Sequence, residues 1–303
     1  MENIQSLSIC CPSATGKCIN HCETCTARQH TNPYENKYHS KQHSLTLEYW
    51  NDVIKRMRYA QGKGCTTVML TGSNEPQQDR RWLEGLYLAM KSLDKPFDNI
   101  EIQTTGAFLD WDYLSFLHEL GVTTVAVSTF NLFDNKLNRE IEHNADKKLD
   151  IETLCSDIKL LGMNLRLCIN VTDYCGVGKI TCDNDAYNAV RDIFLACKNL
   201  GADQVTFRKM WSNKGTPEAN WIEENTTWSD KILSRVKSLV VKEGSPLGKL
   251  PYGATKYDMY GFSIVIDTDS MAKDVDNSAT KYYIIRENGK LYDSWDSPAS
   301  LIF

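Results

Sequence analysis

Three cysteines with the spacing Cys18-x3-Cys22-x2-Cys25 stand in the segment GKCINHCETC (16–25), near the start of a 303-residue chain. Thiolates in such a segment ligate either zinc or an iron–sulfur cluster. A structural zinc ion takes four ligands, and the nearest fourth ligand, His21, is adjacent to Cys22, so that joint ligation of one ion is awkward. A [4Fe–4S] cluster held by three thiolates leaves one iron open for a small chelating ligand. The segment therefore favours the cluster, with zinc as the alternative.

The chain has 11 cysteines in all, and this number bears on its cellular compartment. The N-terminal sequence MENIQSLSICC lacks the basic and apolar regions of a signal peptide. Nowhere do about 18 apolar residues follow one another, so no membrane span is predicted. We therefore expect a cytoplasmic protein whose cysteines serve metal binding or catalysis rather than disulfides.

Composition and charge narrow the class of partner. Hydrophobic residues make up 42% of the chain and charged residues 24%, which is ordinary for a globular protein with a sizeable core. The formal net charge is −5. Because an acidic chain does not attract the backbone of bulk nucleic acid, we expect a small-molecule, nucleotide or peptide substrate instead of RNA or DNA.

The cysteine segment follows the first of six strand patterns that alternate with helix patterns. Strands are predicted at 6–11, 66–72, 99–106, 123–130, 164–172 and 203–211, and helices at 45–62, 80–94, 110–121, 150–162 and 185–201. Such alternation predicts a parallel sheet with right-handed crossovers. The even spacing favours an α/β fold with a partial (β/α)6 TIM-like barrel, in which ligands bind at the carboxyl ends of the strands.

The texture of the sequence changes after residue 212. An irregular connection is predicted over 212–227, followed by an amphipathic helix at 228–244 and strands at 260–270 and 281–295. The last of these contains the turn ENGK, whose Asn-Gly suits a tight hairpin. We therefore expect two parts, a barrel of residues 1–212 and a small C-terminal α+β extension of residues 213–303 that acts as a substrate or cap subdomain.

Polar motifs stand at the predicted ends of the strands, where a barrel places its ligands. They are TGSNEP (71–76), TTG (104–106), AVST (126–129), CINV (168–171) and TFRKM (206–210). Together with the cysteine spacing, this ordered series resembles the radical S-adenosylmethionine (radical SAM) superfamily over roughly residues 5–212. Within that superfamily the chain looks most like the compact group that resembles molybdenum-cofactor cyclases.

The resemblance implies cofactors and a reaction class. Cys18, Cys22 and Cys25 would hold a [4Fe–4S] cluster, and the open iron would bind S-adenosylmethionine (SAM). One electron would cleave SAM to a 5′-deoxyadenosyl radical that abstracts hydrogen from an unidentified substrate. The electron would come from a donor such as flavodoxin or ferredoxin, and rearrangement or oxidation is favoured over methylation.

The resemblance also implies residues that contact SAM. In the second strand's turn they are Gly72, Ser73, Asn74 and Glu75, and at later strand ends they are Thr105, Ser128, Asn170 and Arg208. The family carries Gly-Gly-Glu-Pro in this turn, a motif that meets the amino group of SAM. Aligned on Glu75, the two glycines become Ser73 and Asn74, and Asn tolerates the positive φ of a tight turn.

The loop after the fifth strand, at 172–185, contains three catalytic candidates. Tyr174, Cys175 and Cys182 are candidate donors of a hydrogen atom or an electron to a substrate radical, with ordinary loop residues as the alternative. Cys10 and Cys11 would have to join Cys175 and Cys182 to hold a second cluster, and adjacent cysteines in a strand point to opposite faces. We therefore expect one cluster. The alternative function is a non-catalytic iron–sulfur or zinc-binding protein that acts through partner binding.

Overall fold

The computed structural model describes residues 4–12, 18–29, 46–144, 146–250, 254–268, 281–295 and 297–303. Its strands are β1 (Ser6–Ile9), β2 (Thr67–Leu70), β3 (Asn99–Thr104), β4 (Thr124–Thr129), β5 (Asn164–Val171), β6 (Gln204–Lys209), β7 (Ser245–Lys249), β8 (Thr255–Met259), β9 (Phe262–Asp267), β10 (Tyr282–Ile285) and β11 (Leu291–Tyr292). The six strands predicted for the barrel are confirmed, each with its bounds shifted by a few residues at most.

The helices in the described part of the chain are α1 (Thr26–Gln29), α2 (Leu47–Gly62), α3 (Arg80–Lys91), α4 (Trp111–Glu119), α5 (Asn135–Glu142), α6 (Ile151–Leu160), α7 (Asp183–Asn199), α8 (Pro217–Asn225) and α9 (Ser229–Glu243). Several helices have an N-cap residue whose side chain accepts a hydrogen bond from the backbone N–H three residues later. Examples are Thr46, Asp79 and Asp110. Such caps satisfy donors that the first helical turn leaves open. No helix among the described residues is both long and apolar enough to cross a membrane.

The described strands form one sheet in the order β11-β10-β1-β2-β3-β4-β5-β6-β9-β8-β7. Strands β1 to β6 pair in sequence order and run parallel. Parallel strands require crossovers, and a helix lies in the chain between each successive pair. The sheet is not closed, because β7 and β11 are its two ends. The predicted partial TIM-like barrel is confirmed.

The two faces of the sheet differ in polarity because side chains alternate along each strand. The outer face is apolar, and residues such as Leu7, Ile102 and Leu167 form one core with the helices. On the opposite face, which we call the inner face, the register places Glu101 beside Thr124 and Asn170 beside Arg208. The helices therefore cover one side, and the polar inner face is available to line a site.

Residues 213–303 continue the same sheet at both of its edges. β9 pairs parallel with β6, and β10 pairs parallel with β1. The helix predicted at 228–244 and the hairpin of the last two strands are confirmed. The cap role of this segment stays a prediction.

The prediction of an irregular connection over 212–227 is wrong, because Pro217–Asn225 forms α8. Thr216 caps this helix by accepting from the backbone N–H of Ala219, and Pro217 occupies its first turn, where proline is preorganised. The sequence signal was present in the Thr-Pro-Glu triplet, but no apolar periodicity accompanies it.

If α9 is integral to the core, adjacent valines in it should respond differently to the same truncation. Val240 is fully buried, whereas Val241 is 58% exposed. We expect Val240→Ala to lower the free energy of unfolding by about 2 kcal/mol, through lost burial and a residual cavity. Val241→Ala, the control, should change it by less than about 0.5 kcal/mol. Urea unfolding measures both, and equal effects would mean that α9 does not pack on the sheet.

Candidate functional site

Residues 18–25, which we call the cysteine loop, precede α1, and α1 begins directly after Cys25. Two backbone hydrogen bonds shape its end, from Cys25 N–H to the Cys22 carbonyl at 3.1 Å and from Arg28 N–H to the Cys25 carbonyl at 3.2 Å. The three predicted ligands, Cys18, Cys22 and Cys25, are partly buried. The turn at Cys22–Cys25 and the start of α1 therefore fix the end of the cysteine loop, and its thiols lie within one short segment.

The environment of these thiols disfavours free thiolates. Burial, followed by the nearby Glu75 carboxylate, raises the pKa of the Cys18 thiol to about 11. Burial also raises the pKa of Cys22 well above its ordinary value, and the charges of Glu142, Cys25, Glu75 and Cys18 add to this effect. The thiols are therefore close enough to interact electrostatically, and a cationic metal group would favour their deprotonation.

Arg28 braces the cysteine loop. Its Nη2 donates to the backbone carbonyls of His21, at 3.3 Å, and of Cys22. Its Nε forms an ion pair with Glu218 of α8 at 2.6 Å. Because Glu218 is mostly buried, the pair is shielded from solvent more than a surface salt bridge is. A residue close behind the cysteines is thus tied to the segment that follows β6.

Glu75 is the centre of a buried hydrogen-bond network that joins three loops. Its Oε1 accepts from Asn20 Nδ2 at 2.8 Å, from Thr105 N–H at 3.0 Å and from Thr105 Oγ1 at 2.8 Å. Its Oε2 accepts from Gln77 Nε2 and from Thr104 Oγ1, each at 2.8 Å. A carboxylate offers about four lone-pair positions, so this one is fully used. Two predicted residues, Glu75 and Thr105, are therefore brought together with the cysteine loop.

The turn after β2 packs tightly against the end of β1. Gly72 has φ +140, and a Cβ on it would lie 2.7 Å from Cys10 Sγ, so the glycine permits both the conformation and the contact. Asn74 Nδ2 donates to the Cys11 carbonyl at 3.0 Å. Ser73 Oγ donates to Glu287 Oε1 at 2.8 Å. The turn is therefore held by both β1 and the hairpin of β10 and β11.

Several buried acceptor oxygens near this turn and the cysteine loop have no hydrogen-bond partner. They are Asn20 Oδ1, Asn74 Oδ1, Glu142 Oε1, Asn144 Oδ1 and Glu287 Oε2. Buried polar atoms in native proteins are almost always satisfied, so a set of unpaired acceptors calls for a ligand rich in donors. A ligand with an ammonium group and hydroxyl groups fits this set.

Glu142 and Lys147 form a fully buried ion pair behind the cysteine loop, with 3.1 Å between Lys147 Nζ and Glu142 Oε2. The backbone carbonyl of Glu142 accepts from His21 N–H at 3.3 Å. Burial raises the pKa of Glu142 to about 7, although the Lys147 ammonium opposes the rise. This pair was not identified from the sequence, because neither residue stands at a strand end or in a recognisable motif.

The remaining predicted contacts lie at the ends of β4, β5 and β6 on the inner face. Asn170 and Arg208 are paired in register, and Ser128 is paired with Cys168 one strand away. Arg208 Nε lies 4.0 Å from Asp267 Oδ2 and is buried without a hydrogen-bond acceptor. This edge of the site thus presents polar groups, among them an unsatisfied cationic donor.

The three candidates in the loop after β5 occupy different environments. Cys175 lies within the apolar core, and burial raises the pKa of its thiol to about 12. Cys182 is exposed at the start of α7. Tyr174 is half-buried, with its ring 6.3 Å from that of Trp221 and its hydroxyl 3.4 Å from Lys179 Nζ. The two cysteines thus differ in burial, one in the core and the other exposed.

A second polar network lies on the inner face, mainly among side chains of β3, β5 and β6. Arg166 forms an ion pair with Glu101, and Arg166 Nε donates to Gln204 Oε1 at 2.7 Å. Gln103 Nε2 donates to Glu101 Oε1 at 3.2 Å, and Thr71 Oγ1 donates to Gln103 Oε1 at 3.1 Å. These residues were not predicted from the sequence. The signal was the alternation in NIEIQT, where Glu and Gln interrupt a strand that would otherwise be apolar.

Within the described ranges, no three His, Cys, Asp or Glu side chains converge closely enough to hold a single metal ion. A four-iron cluster is larger than one ion and takes its thiolates from further apart. The donor set of three interacting thiols, flanked by unpaired acceptors that suit an ammonium ligand, fits such a cluster together with a chelating amino acid.

Comparison with known proteins identifies one family model. Residues 13–162 match the model of the radical SAM superfamily, and this range contains the cysteine loop, the turn after β2 and the end of β4. No curated protein sequence matches the chain.

Solved structures share the fold at low sequence identity. Streptococcus suis SuiB bound to the precursor peptide SuiA has a TM-score of 0.58 at 13% identity, covering 97% of this chain and 60% of SuiB. Native anSMEcpe with bound AdoMet and the Cp18Cys peptide also has a TM-score of 0.58 at 13% identity, covering 98% of this chain and 75% of that one. The chain thus spans about 60% of the length of SuiB.

The close approach of Gly72 to Cys10 predicts a specific sensitivity. Gly72→Ala should lower the free energy of unfolding through two causes, the strained positive φ and the overlap with Cys10 Sγ. Gly248→Ala is a matched control, because Gly248 has φ +134 and no atom within 4 Å of an added Cβ. We expect Gly72→Ala to cost about 1–3 kcal/mol more than Gly248→Ala in urea unfolding. Equal losses would show that β1 and the turn are not in contact.

Proposed function

The chain belongs to the radical SAM superfamily through residues 13–162, and we propose that it is an enzyme that abstracts hydrogen from a polar substrate held against the inner face of the sheet. Members of this superfamily use a [4Fe–4S] cluster and SAM. When bound, these cofactors supply an electron and a 5′-deoxyadenosyl radical. The protein residues must bind them, orient them and exclude water.

Cys18, Cys22 and Cys25 are the proposed cluster ligands. One observation carries this assignment, namely that Asn20, which lies between the first two cysteines, donates to Glu75 at 2.8 Å. This bond places the cysteine loop against the turn after β2, where the methionine part of SAM would bind. Three thiolates would hold the cluster and leave one of its irons for a chelating ligand.

The proposed role of each residue in the turn after β2 depends on whether its polar atoms already have hydrogen-bond partners. Glu75 is fully hydrogen-bonded and therefore holds the site together, whereas Asn74 Oδ1 is free to accept from an ammonium group. Gly72 allows the backbone to approach β1 closely. Ser73 is engaged by Glu287. We therefore propose that the amino group of SAM is bound at this turn by acceptors other than the Glu75 carboxylate.

At the far edge of the site, Ser128, Asn170 and Arg208 are proposed to contact the carboxylate or ribose of SAM. Arg208 Nε is a buried cationic donor without an acceptor, which suits a carboxylate. Thr105 is proposed to act through Glu75, to which it donates twice, by N–H and by Oγ1.

The substrate class follows from the inner-face network. Arg166, Glu101 and Gln204 present charged and amide groups along the sheet, so a substrate with polar or charged groups fits better than an apolar one. Solved structures of similar fold have bound peptides, which supports a peptide or a peptide-like small molecule. Tyr174 is the proposed hydrogen donor among the loop candidates, because its ring is half-buried rather than in the core.

Other expectations from the sequence stay predictions. They concern the likeness to molybdenum-cofactor cyclases, an electron donor such as flavodoxin or ferredoxin, a cytoplasmic location and the preference for rearrangement or oxidation over methylation. The proposed substrate or cap role of 213–303 is supported by β9, which extends the inner face beyond β6.

The cluster assignment predicts the outcome of single substitutions. The wild-type chain should hold about four irons after anaerobic reconstitution and form 5′-deoxyadenosine from SAM with dithionite. Each of three variants, Cys18→Ala, Cys22→Ala and Cys25→Ala, should hold less than about one iron per chain, because two thiolates do not hold the cluster firmly. None of them should form 5′-deoxyadenosine.

Cys182→Ala serves as the control, because Cys182 is exposed and distant in sequence from the loop. It should keep full iron content. Retention of iron and product by any of the three loop variants would reject the assignment. A wild-type chain that holds iron but forms no 5′-deoxyadenosine would support the non-catalytic iron–sulfur alternative, and about one zinc per chain would support the zinc site.

A further inference from the structure

Glu287 is a buried carboxylate for which the proposed function has no role. It lies in the turn between β10 and β11 and is 1% exposed. Its Oε1 accepts from Ser73 Oγ at 2.8 Å, whereas its Oε2 is buried without a hydrogen-bond partner. Its charge contributes to the raised pKa of both Cys10 and Cys11, so it lies close to the end of β1. An unpaired buried carboxylate oxygen is costly unless a cation or a donor reaches it.

Arg286, the cationic residue next to Glu287 in the chain, has its guanidinium against Ser294 and Trp295. Arg286 Nη2 donates to the backbone carbonyls of Trp295 and Ser294, and its guanidinium lies 4.9 Å from the centroid of the Trp295 ring. Arg286 is therefore oriented toward the chain that follows the hairpin, while Glu287 points to the turn after β2.

Glu75, the other carboxylate at this turn, has no capacity left. Its two oxygens already accept from Asn20, Gln77, Thr104 and Thr105, which exhausts the lone pairs of a carboxylate. A ligand ammonium at this turn would have to break one of these bonds to reach Glu75. Glu287 reaches the same turn, because its Oε1 accepts from Ser73, and its Oε2 has no hydrogen-bond partner.

The sequence of the turn after β2 is consistent with ammonium binding by Glu287 instead of Glu75. Ser73 replaces a glycine of the family motif, and its hydroxyl is the group that holds Glu287 in place. Asn74 replaces the second glycine and contributes a further unpaired acceptor, Oδ1. The two departures thus give this turn two acceptors without hydrogen-bond partners, and a primary ammonium has three N–H groups to donate.

We propose that Glu287 binds the ammonium group of the ligand at the Gly72–Glu75 turn, so that the C-terminal hairpin completes the SAM site. This inference rests on the proposed function, since SAM is the ligand with that ammonium. It also gives the segment 213–303 a role in cofactor binding in addition to any role toward substrate.

The test compares two ligands on anaerobically reconstituted protein by calorimetric titration. SAM carries the ammonium, and 5′-methylthioadenosine lacks the whole aminobutyrate group. Glu287→Gln should weaken SAM binding at least about tenfold, because it removes a charge-assisted contact, and should leave the affinity for 5′-methylthioadenosine unchanged. Lys290→Gln, an exposed change of charge in the same hairpin, should alter neither affinity.

Thermal unfolding of the ligand-free protein separates ligand binding from a structural role. If Oε2 is reserved for a ligand, Glu287→Gln should keep or raise the Tm of the ligand-free protein, because a neutral amide is cheaper to bury. The rise of Tm on adding SAM should become smaller in the variant. Ser73→Ala, which frees Glu287 from its donor, should weaken SAM binding in the same direction and provides a second variant if Glu287→Gln does not fold.

Three outcomes would overturn the inference. Equal SAM affinity of wild type and both variants would show that Glu287 does not touch the ammonium. Equal losses for SAM and 5′-methylthioadenosine would show a general disturbance of the site. A wild type that holds the cluster but binds no SAM would reject the proposed function itself, which distinguishes that failure from the first two.

Discussion

The buried carboxylate of Glu75 is the interaction on which the site depends. It accepts from the cysteine loop through Asn20, from its own turn through Gln77 and from the end of β3 through Thr104 and Thr105. A buried charge without partners would cost several kcal/mol, and five donors remove that cost. Because the bonds come from three separate strand ends, the geometry of all three is coupled. A change in any one of these loops leaves donors or acceptors unsatisfied in the other two.

The sequence predicted the elements well, because their signals are local. Alternating β-branched runs and apolar helical periodicity located β1 to β6, and helix caps such as Asp110 marked boundaries. It also predicted that Cys18, Glu75 and Thr105 would share one edge, because parallel strands end on the same side. Helix α8 was missed because its signal was only the Thr216–Pro217 start, without an apolar stripe that could be read.

What the sequence did not predict are contacts between distant segments. Glu287 lies 214 residues from Ser73, and Glu218 lies 190 residues from Arg28. No spacing rule links such positions, since their proximity follows from β10 pairing with β1 and from the path of the chain after β6. The Glu142–Lys147 pair is local but gave no signal, because its role depends on burial behind the cysteine loop.

The pairing of β1 with β10 also bears on the order of events during synthesis. Ile9 is paired with Ile285, so β1 is synthesised long before its neighbour β10. At about 5–20 residues per second, translation of the intervening chain takes roughly 14 to 55 s. Throughout that interval the edge of β1 and the thiols beside it lack their final cover. Until β10 emerges, the unpaired edge of β1 is therefore open to pairing with other chains, and Cys10 and Cys11 are open to oxidation.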